Sequence, residues 1–158
     1  MSILAFNKRA RYDYEISDTY EAGIVLAGHE VKSIKTGHVS LKGSFITSLN
    51  TINALPVFFL TGAHIPVYKS AAGKVGDYSP DRSRKILLHK KEIEQLIGKK
   101  QEQGLTLVPI KIYTKGSLIK LEFGVGRGKK KYDKRESIKK RDQDRQLRTL
   151  TKESRKVF

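Results

Sequence analysis

The residues able to do chemistry in this sequence fall into two sets. The first could serve acid–base or metal chemistry. It holds four histidines, His29, His38, His64 and His89, and carboxylates scattered singly through basic surroundings. No histidine pair has a zinc-binding spacing such as H-E-x-x-H; His29-Glu30 comes nearest, but Ser33 stands where the second imidazole belongs. Cysteine is absent, which excludes disulfides, thiolate metal ligands and thiolate nucleophiles. Two glycine-rich runs, AAGKVGD (71–77) and GVGRGKK (124–130), lack the spacing and the Ser/Thr of a phosphate-binding loop. The second run is expected to be a flexible exit from the last strand. An enzyme built on His29 and Glu30 is therefore the weaker reading, and no cofactor is expected.

The second set is cationic. The 158 residues carry 32 Lys+Arg against 16 Asp+Glu, a formal charge of +16. Residues 127–158 alone hold 14 basic and 5 acidic side chains. Such an excess attracts polyanions and says nothing about fold. Basic clusters stand at Lys8, Arg9 and Arg11, at Lys32 and Lys35, at Arg82, Arg84 and Lys85, and through the tail. Tyr12, Tyr14, Tyr78 and Tyr132 lie beside them and are candidates for stacking on unpaired bases. The expected helix 88–98 is short and carries Glu92 and Glu94, a poor tool for the DNA major groove. Structured RNA fits better.

These groups need a scaffold. Apolar patterning predicts strands over 20–26, 45–52, 57–65, 105–113 and 118–125, and helices over 30–36 and 88–98, the second ended by Gly98. Pro56 suits the start of its strand, and Pro109 an edge or a bulge. Leu107, Ile110, Ile112, Ile119, Leu121, Phe123 and Val125 are the core candidates, with Lys115-Gly116 as a turn. Residues 69–85 read as a long functional loop. The sum is a mainly β fold, a small antiparallel barrel over 1–128 with short accessory helices. Residues 129–158 have too little to bury for a core of their own and are expected to be disordered when free and helical when bound. No segment resembles a secretory signal or a membrane span, so a cytoplasmic protein is expected; the large positive charge weakly opposes self-association, so a monomer is expected.

EAGIVLAGHEVKSIKTGHVSLKGSFI (21–46), DRSRKILLHKKEI (81–93), GLTLVPIKIYTKG (104–116) and GRGKKKYDKRESIKKRD (126–142) together resemble the SsrA-binding protein family. The resemblance runs through practically the whole chain. It implies an oligonucleotide-binding-like barrel that binds the tRNA-like domain of transfer-messenger RNA (tmRNA) at its elbow and D-loop. It implies delivery to the decoding centre of a stalled ribosome with elongation factor Tu and GTP, the tail turning helical in the empty mRNA channel. By residue, it implies RNA contacts from Asn7, Lys8, Arg11, Glu30, Lys32, Lys35, Arg82, Arg84, Lys129 and Lys130. On that reading Glu30 accepts from base edges or orients Lys32. At the decoding site and along the tail it implies Tyr132, Asp133, Lys134, Arg135, Lys139, Lys140, Arg141, Arg145, Leu147 and Arg148, with Asp133 capping the tail helix. Leu147, Leu150, Val157 and Phe158 are candidates for an apolar contact late in the tail. Ala54-Leu55-Pro56 replaces a Gly-Glu pair common in the family, and GDYSPDR departs from a loop in which relatives often carry histidine. A general or ribosomal RNA-binding protein of barrel type is the alternative.

Overall fold

β-branched and aromatic residues alternate with polar or small ones over residues 118–125, and this run becomes one arm of the hairpin on which the fold is built. The arms are β6 (Leu105–Lys115) and β7 (Leu118–Gly128). Lys115 pairs with Leu118, so the two-residue turn is Gly116-Ser117, one position later than expected, and Gly116 takes the positive φ of 62° that the turn requires. Ile119, Leu121, Phe123 and Val125 all face the core. Register shifts between Pro109 and Lys111, which is the bulge that a proline without an N–H favours.

The computed structural model describes residues 1–102 and 104–154, with side chains through Arg148 in the last helix. The chain divides into two compact units, Met1–Gly128 and Lys129–Phe158. The first runs β1 (Ser2–Phe6), α1 (Ala10–Asp13), β2 (Tyr14–Ile24), α2 (Gly28–Lys35), β3 (Phe45–Thr51), β4 (Ala54–Thr61), β5 (Arg84–Leu87), α3 (Lys90–Lys100), β6 and β7. The second is α4 (Lys131–Ser154). The architecture is thus mixed α/β, a dominant antiparallel sheet with accessory helices, and more helical than the mainly β expectation. Strand order is β1-β6-β3-β4-β5-β2-β7, with β6 also paired to β7. Ile34 of α2 and Leu96 of α3 insert into the core beside Phe58, Leu60, Ile86 and Ile112.

Several expected bounds move. β2 begins six residues earlier than predicted, since its first half, YEISDT, carries polar side chains while its backbone pairs with β7. β4 spans Ala54–Thr61, with Pro56 inside it near its start, and Gly62 at φ 75° ends it. The turn containing Asn53, at φ 58°, precedes Ala54-Leu55-Pro56. The long loop gives up its end to β5, and α3 runs through Gly98 to Lys100.

The glycines of GVGRGKK are a further correction. Gly124 and Gly126 are buried within β7, paired to β2 on one side and β6 on the other. A Cβ on Gly124 would stand 2.5 Å from Ile16 Cγ2 and 3.2 Å from Ile110 Cδ1. These glycines permit close strand approach and are no flexible exit. Gly124→Ala is expected to cost about 1–3 kcal/mol of overpacking in a denaturant melt, whereas Gly128→Ala, which meets nothing within 4 Å, should be nearly silent.

Candidate nucleic-acid interface

Helix α2 starts with an acid that reaches back. Glu30, its third residue, accepts a hydrogen bond from the Ala27 N–H at 2.8 Å through Oε2 and so satisfies an orphan donor of the helix end. The same carboxylate has no solvent exposure. A buried charge needs partners, and two arrive from more than fifty residues away. Arg82 donates from Nε to Oε1 at 2.9 Å and from Nη2 to Oε2 at 2.5 Å, a bidentate clamp. Arg84 donates from Nε to Oε1 at 2.8 Å.

Arg84 is itself fully buried, an arginine in the inward phase of β5 with Ile86. Its remaining donors reach the carbonyls of Ala63, Arg82 and Pro80 and the Tyr78 hydroxyl, all within 3.0 Å. The Tyr78 hydroxyl, with one proton to give, stands within donating distance of both Glu30 Oε1 and the Ile65 carbonyl. His29 sets its ring edge against Tyr78, with centroids 4.5 Å apart, and its Nε2 is buried without a hydrogen-bond partner. Residues 78–84 are therefore wound around one carboxylate, which places the functional half of the predicted loop on a rigid base. Arg82 keeps part of its guanidinium in solvent, and Lys32 and Lys35 are exposed on α2.

Burial alone would raise the Glu30 pKa. The hydrogen bonds from Arg82, the Ala27 N–H, Arg84 and Tyr78 outweigh it and hold the group at about 2, below its ordinary 4.5. Because the folded value is the lower one, the network's contribution is complete above pH 4.5 and is lost as pH falls toward 2. The difference is worth about 3 kcal/mol. Denaturant midpoints measured across that window should fall steeply in the natural protein and much less in Glu30→Gln.

The other expected contacts are placed as follows. Asn7 is nearly buried: Nδ2 donates to the Pro109 carbonyl at 2.9 Å, and Oδ1 accepts from the Arg9 N–H at 3.2 Å. Its side chain thus pins the β1–α1 connection to the bulge in β6. Lys8 and Arg11 are exposed on that connection and on α1. The suggested Glu30–Lys32 pairing is replaced by the two arginine pairs. Tyr12 and Tyr14 are half-buried, and Tyr14 packs on the small cluster of Ala10, Val108 and Ile110. Tyr78 is committed to the network.

In the second unit, Tyr132, Arg135, Lys139, Lys140, Arg141, Arg145, Leu147 and Arg148 are exposed along α4, while Asp133 and Lys134 are half-buried. Asp133 sits within the first turn and accepts from the Lys130 N–H at 3.1 Å, so it closes the helix start from inside and is not itself the cap residue. Lys129 and Lys130 form the junction before α4. The side chains of Leu150, Val157 and Phe158 lie outside the described residues.

Among the described residues, no cluster of histidine and carboxylate side chains could hold a metal ion, and no helix is long and apolar enough to cross a membrane. Glu30, whose pKa is strongly lowered, is locked in structural bonds. These features define a basic protein whose exposed cations, suited to polyanions, are carried on a hydrogen-bonded frame. The chain belongs to the SmpB protein family, whose model matches residues 4–153. It is 49% identical over 147 residues to the SsrA-binding protein of Lactobacillus delbrueckii subsp. bulgaricus, covering 93% of this chain and 92% of that one. It is 46% identical over 155 residues to the SsrA-binding protein of Geobacillus thermodenitrificans, covering 98% and 96%. A solved structure described as "tmRNA-SmpB: a journey to the center of the bacterial ribosome" superposes with a TM-score of 0.63 at 41% identity, covering 85% of this chain and 93% of that one.

Proposed function

We infer that the protein binds tmRNA and serves ribosome rescue, a non-enzymatic role. The family match carries this reading, because it extends through the first unit and most of the basic tail. The first unit is read as a closed, oligonucleotide-binding-like barrel. In support, its hydrogen-bonded neighbours run from β6 through β3, β4, β5 and β2 to β7, which pairs again with β6. The tRNA-like domain of tmRNA meets the exposed cations Lys8, Arg11, Lys32, Lys35 and Arg82, with Lys129 and Lys130 at the junction. Asn7, Glu30 and Arg84 act from beneath, holding the segments that carry those charges.

The tail is disordered when free and takes the helical form in the vacant mRNA channel. There Tyr132, Asp133, Lys134 and Arg135 approach the decoding centre, and Lys139, Lys140, Arg141, Arg145, Leu147 and Arg148 line the passage. A channel walled by RNA suits so basic a helix, and an occupying messenger would exclude it. The protein acts as a cytoplasmic monomer, delivered within a tmRNA complex by elongation factor Tu and GTP.

The test is a titration of the full chain against tmRNA and an unrelated structured RNA of equal length at about 0.15 M salt, with salt held fixed because phosphate contacts dominate affinity. A hundredfold preference, about 2.8 kcal/mol, is expected. Equal affinities would replace this reading with a general RNA-binding protein.

A further inference from the structure

Among the clefts lined by described residues, three on the first unit differ in charge. One, between β2, β5 and α3, includes Glu21 and Glu92 among its lining. A second, beside α3, includes Glu15, Asp18 and Glu102. The third has a volume of about 250 Å³ and no carboxylate in its wall. One side is the end of β1 and the connection after it, with Phe6, Lys8 and Arg9; the other is the segment after α2, with Val39, Ser40 and Lys42. Phe6 is 49% exposed, an aromatic face left in solvent at the end of a strand. Among the described residues, no carboxylate pairs with Lys8, Arg9 or Lys42.

Both walls are held from behind. Asn7 ties the first to β6 through the Pro109 and Ile110 carbonyls, the latter taken by its backbone N–H at 2.7 Å. The second is fastened by reciprocal backbone bonds between Ser40 and His64 at 2.9 Å, and by Ser44 Oγ donating to the Leu41 carbonyl. The cleft is therefore formed before anything enters it. An aromatic ring flanked by three cations matches a nucleotide with its base unstacked: the ring meets the base's π-face while the cations meet the phosphates on either side. A double-stranded segment offers no free base to such a ring.

Taking the protein to bind tmRNA, we propose that this cleft is a subsite for one unpaired RNA nucleotide, its base stacked on Phe6 and its phosphates held by Lys8, Arg9 and Lys42. Asn7 is then a positioning residue, shaping the wall without touching the RNA. The stack makes Phe6 worth more to affinity than any single lysine on the rim.

Ultraviolet crosslinking of the full chain to tmRNA, mapped by peptide mass spectrometry, should place a crosslink on Phe6. Phe6→Ala should weaken tmRNA binding about tenfold or more, in keeping with the removal of a base–aromatic stack. Phe6→Tyr, which keeps the ring, should bind like the natural protein, and this variant keeps the test decisive should Phe6→Ala lose stability. Crosslinks confined to other residues, or Phe6→Ala binding as tightly as the natural protein, would overturn the subsite while leaving a measured preference for tmRNA intact. A Phe6 crosslink of equal strength to tmRNA and to the unrelated RNA would support the nucleotide subsite and count against tmRNA specificity instead.

Discussion

Deleting residues 131–158 is expected to leave tmRNA affinity within about a few-fold of the full chain and to abolish tagging at stalled ribosomes. The segment carries 11 basic and 5 acidic residues, so its deletion removes a large share of the protein's charge. If those cations met tmRNA phosphates in the free complex, log affinity would fall with each phosphate no longer neutralised, and the salt dependence would flatten. The first unit, however, has its own exposed cations on α1, α2 and the Tyr78–Arg84 segment. Its core is built from its own residues, with Ile119, Leu121, Phe123 and Val125 buried in one cluster with side chains of the sheet and its helices. Binding and signalling should therefore separate. The measurement is a pair of salt titrations with tmRNA, full chain against truncation, alongside reconstituted tagging. An affinity loss beyond about tenfold, or a flattened salt slope, would mean that the tail shares the tmRNA surface.

What could be foreseen depended on how local the signal was. Strand β7 was legible because period-two alternation is written along eight consecutive residues, and the β6 bulge because proline cannot donate to a ladder. Strand β1 was not, since SILAF is short and owes its strand to pairing with β6 more than a hundred residues away. Glu30 is chemically odd among cations, and the sequence offers it base edges or Lys32 as partners; the arginines that hold it are brought in by β5 and the residues just before it. One signal did exist. In RSRKIL, Arg84 shares the inward phase with Ile86, and an arginine facing a core demands a carboxylate there. The cleft at Phe6 was missed for a different reason. Phe6 reads as a core residue by type, and only the structure leaves half of it in solvent.

Glu30→Ala should lower the unfolding free energy by about 3–5 kcal/mol, because it strands Arg84 as a buried cation with no counter-charge. Arg84→Ala should cost a similar amount: Glu30 keeps the Arg82 clamp, but a fully buried side chain is removed, and three backbone carbonyls lose donors. Arg82→Ala should cost far less, about 1 kcal/mol, since its side chain is 38% exposed and water replaces it easily. The ranking distinguishes two roles for the glutamate. A group that organises the interface from beneath must weaken folding and RNA binding together, and tmRNA affinity should recover at low temperature, where the fold is restored. A group that touched RNA directly would lose affinity at unchanged stability. Denaturant melts and tmRNA titrations of the three variants, run at two temperatures, decide between them. A Glu30→Ala protein within about 1 kcal/mol of the natural one would sink the structural role and return the carboxylate to the RNA surface, where its complete burial would then need an opening of the Tyr78–Arg84 segment to explain it.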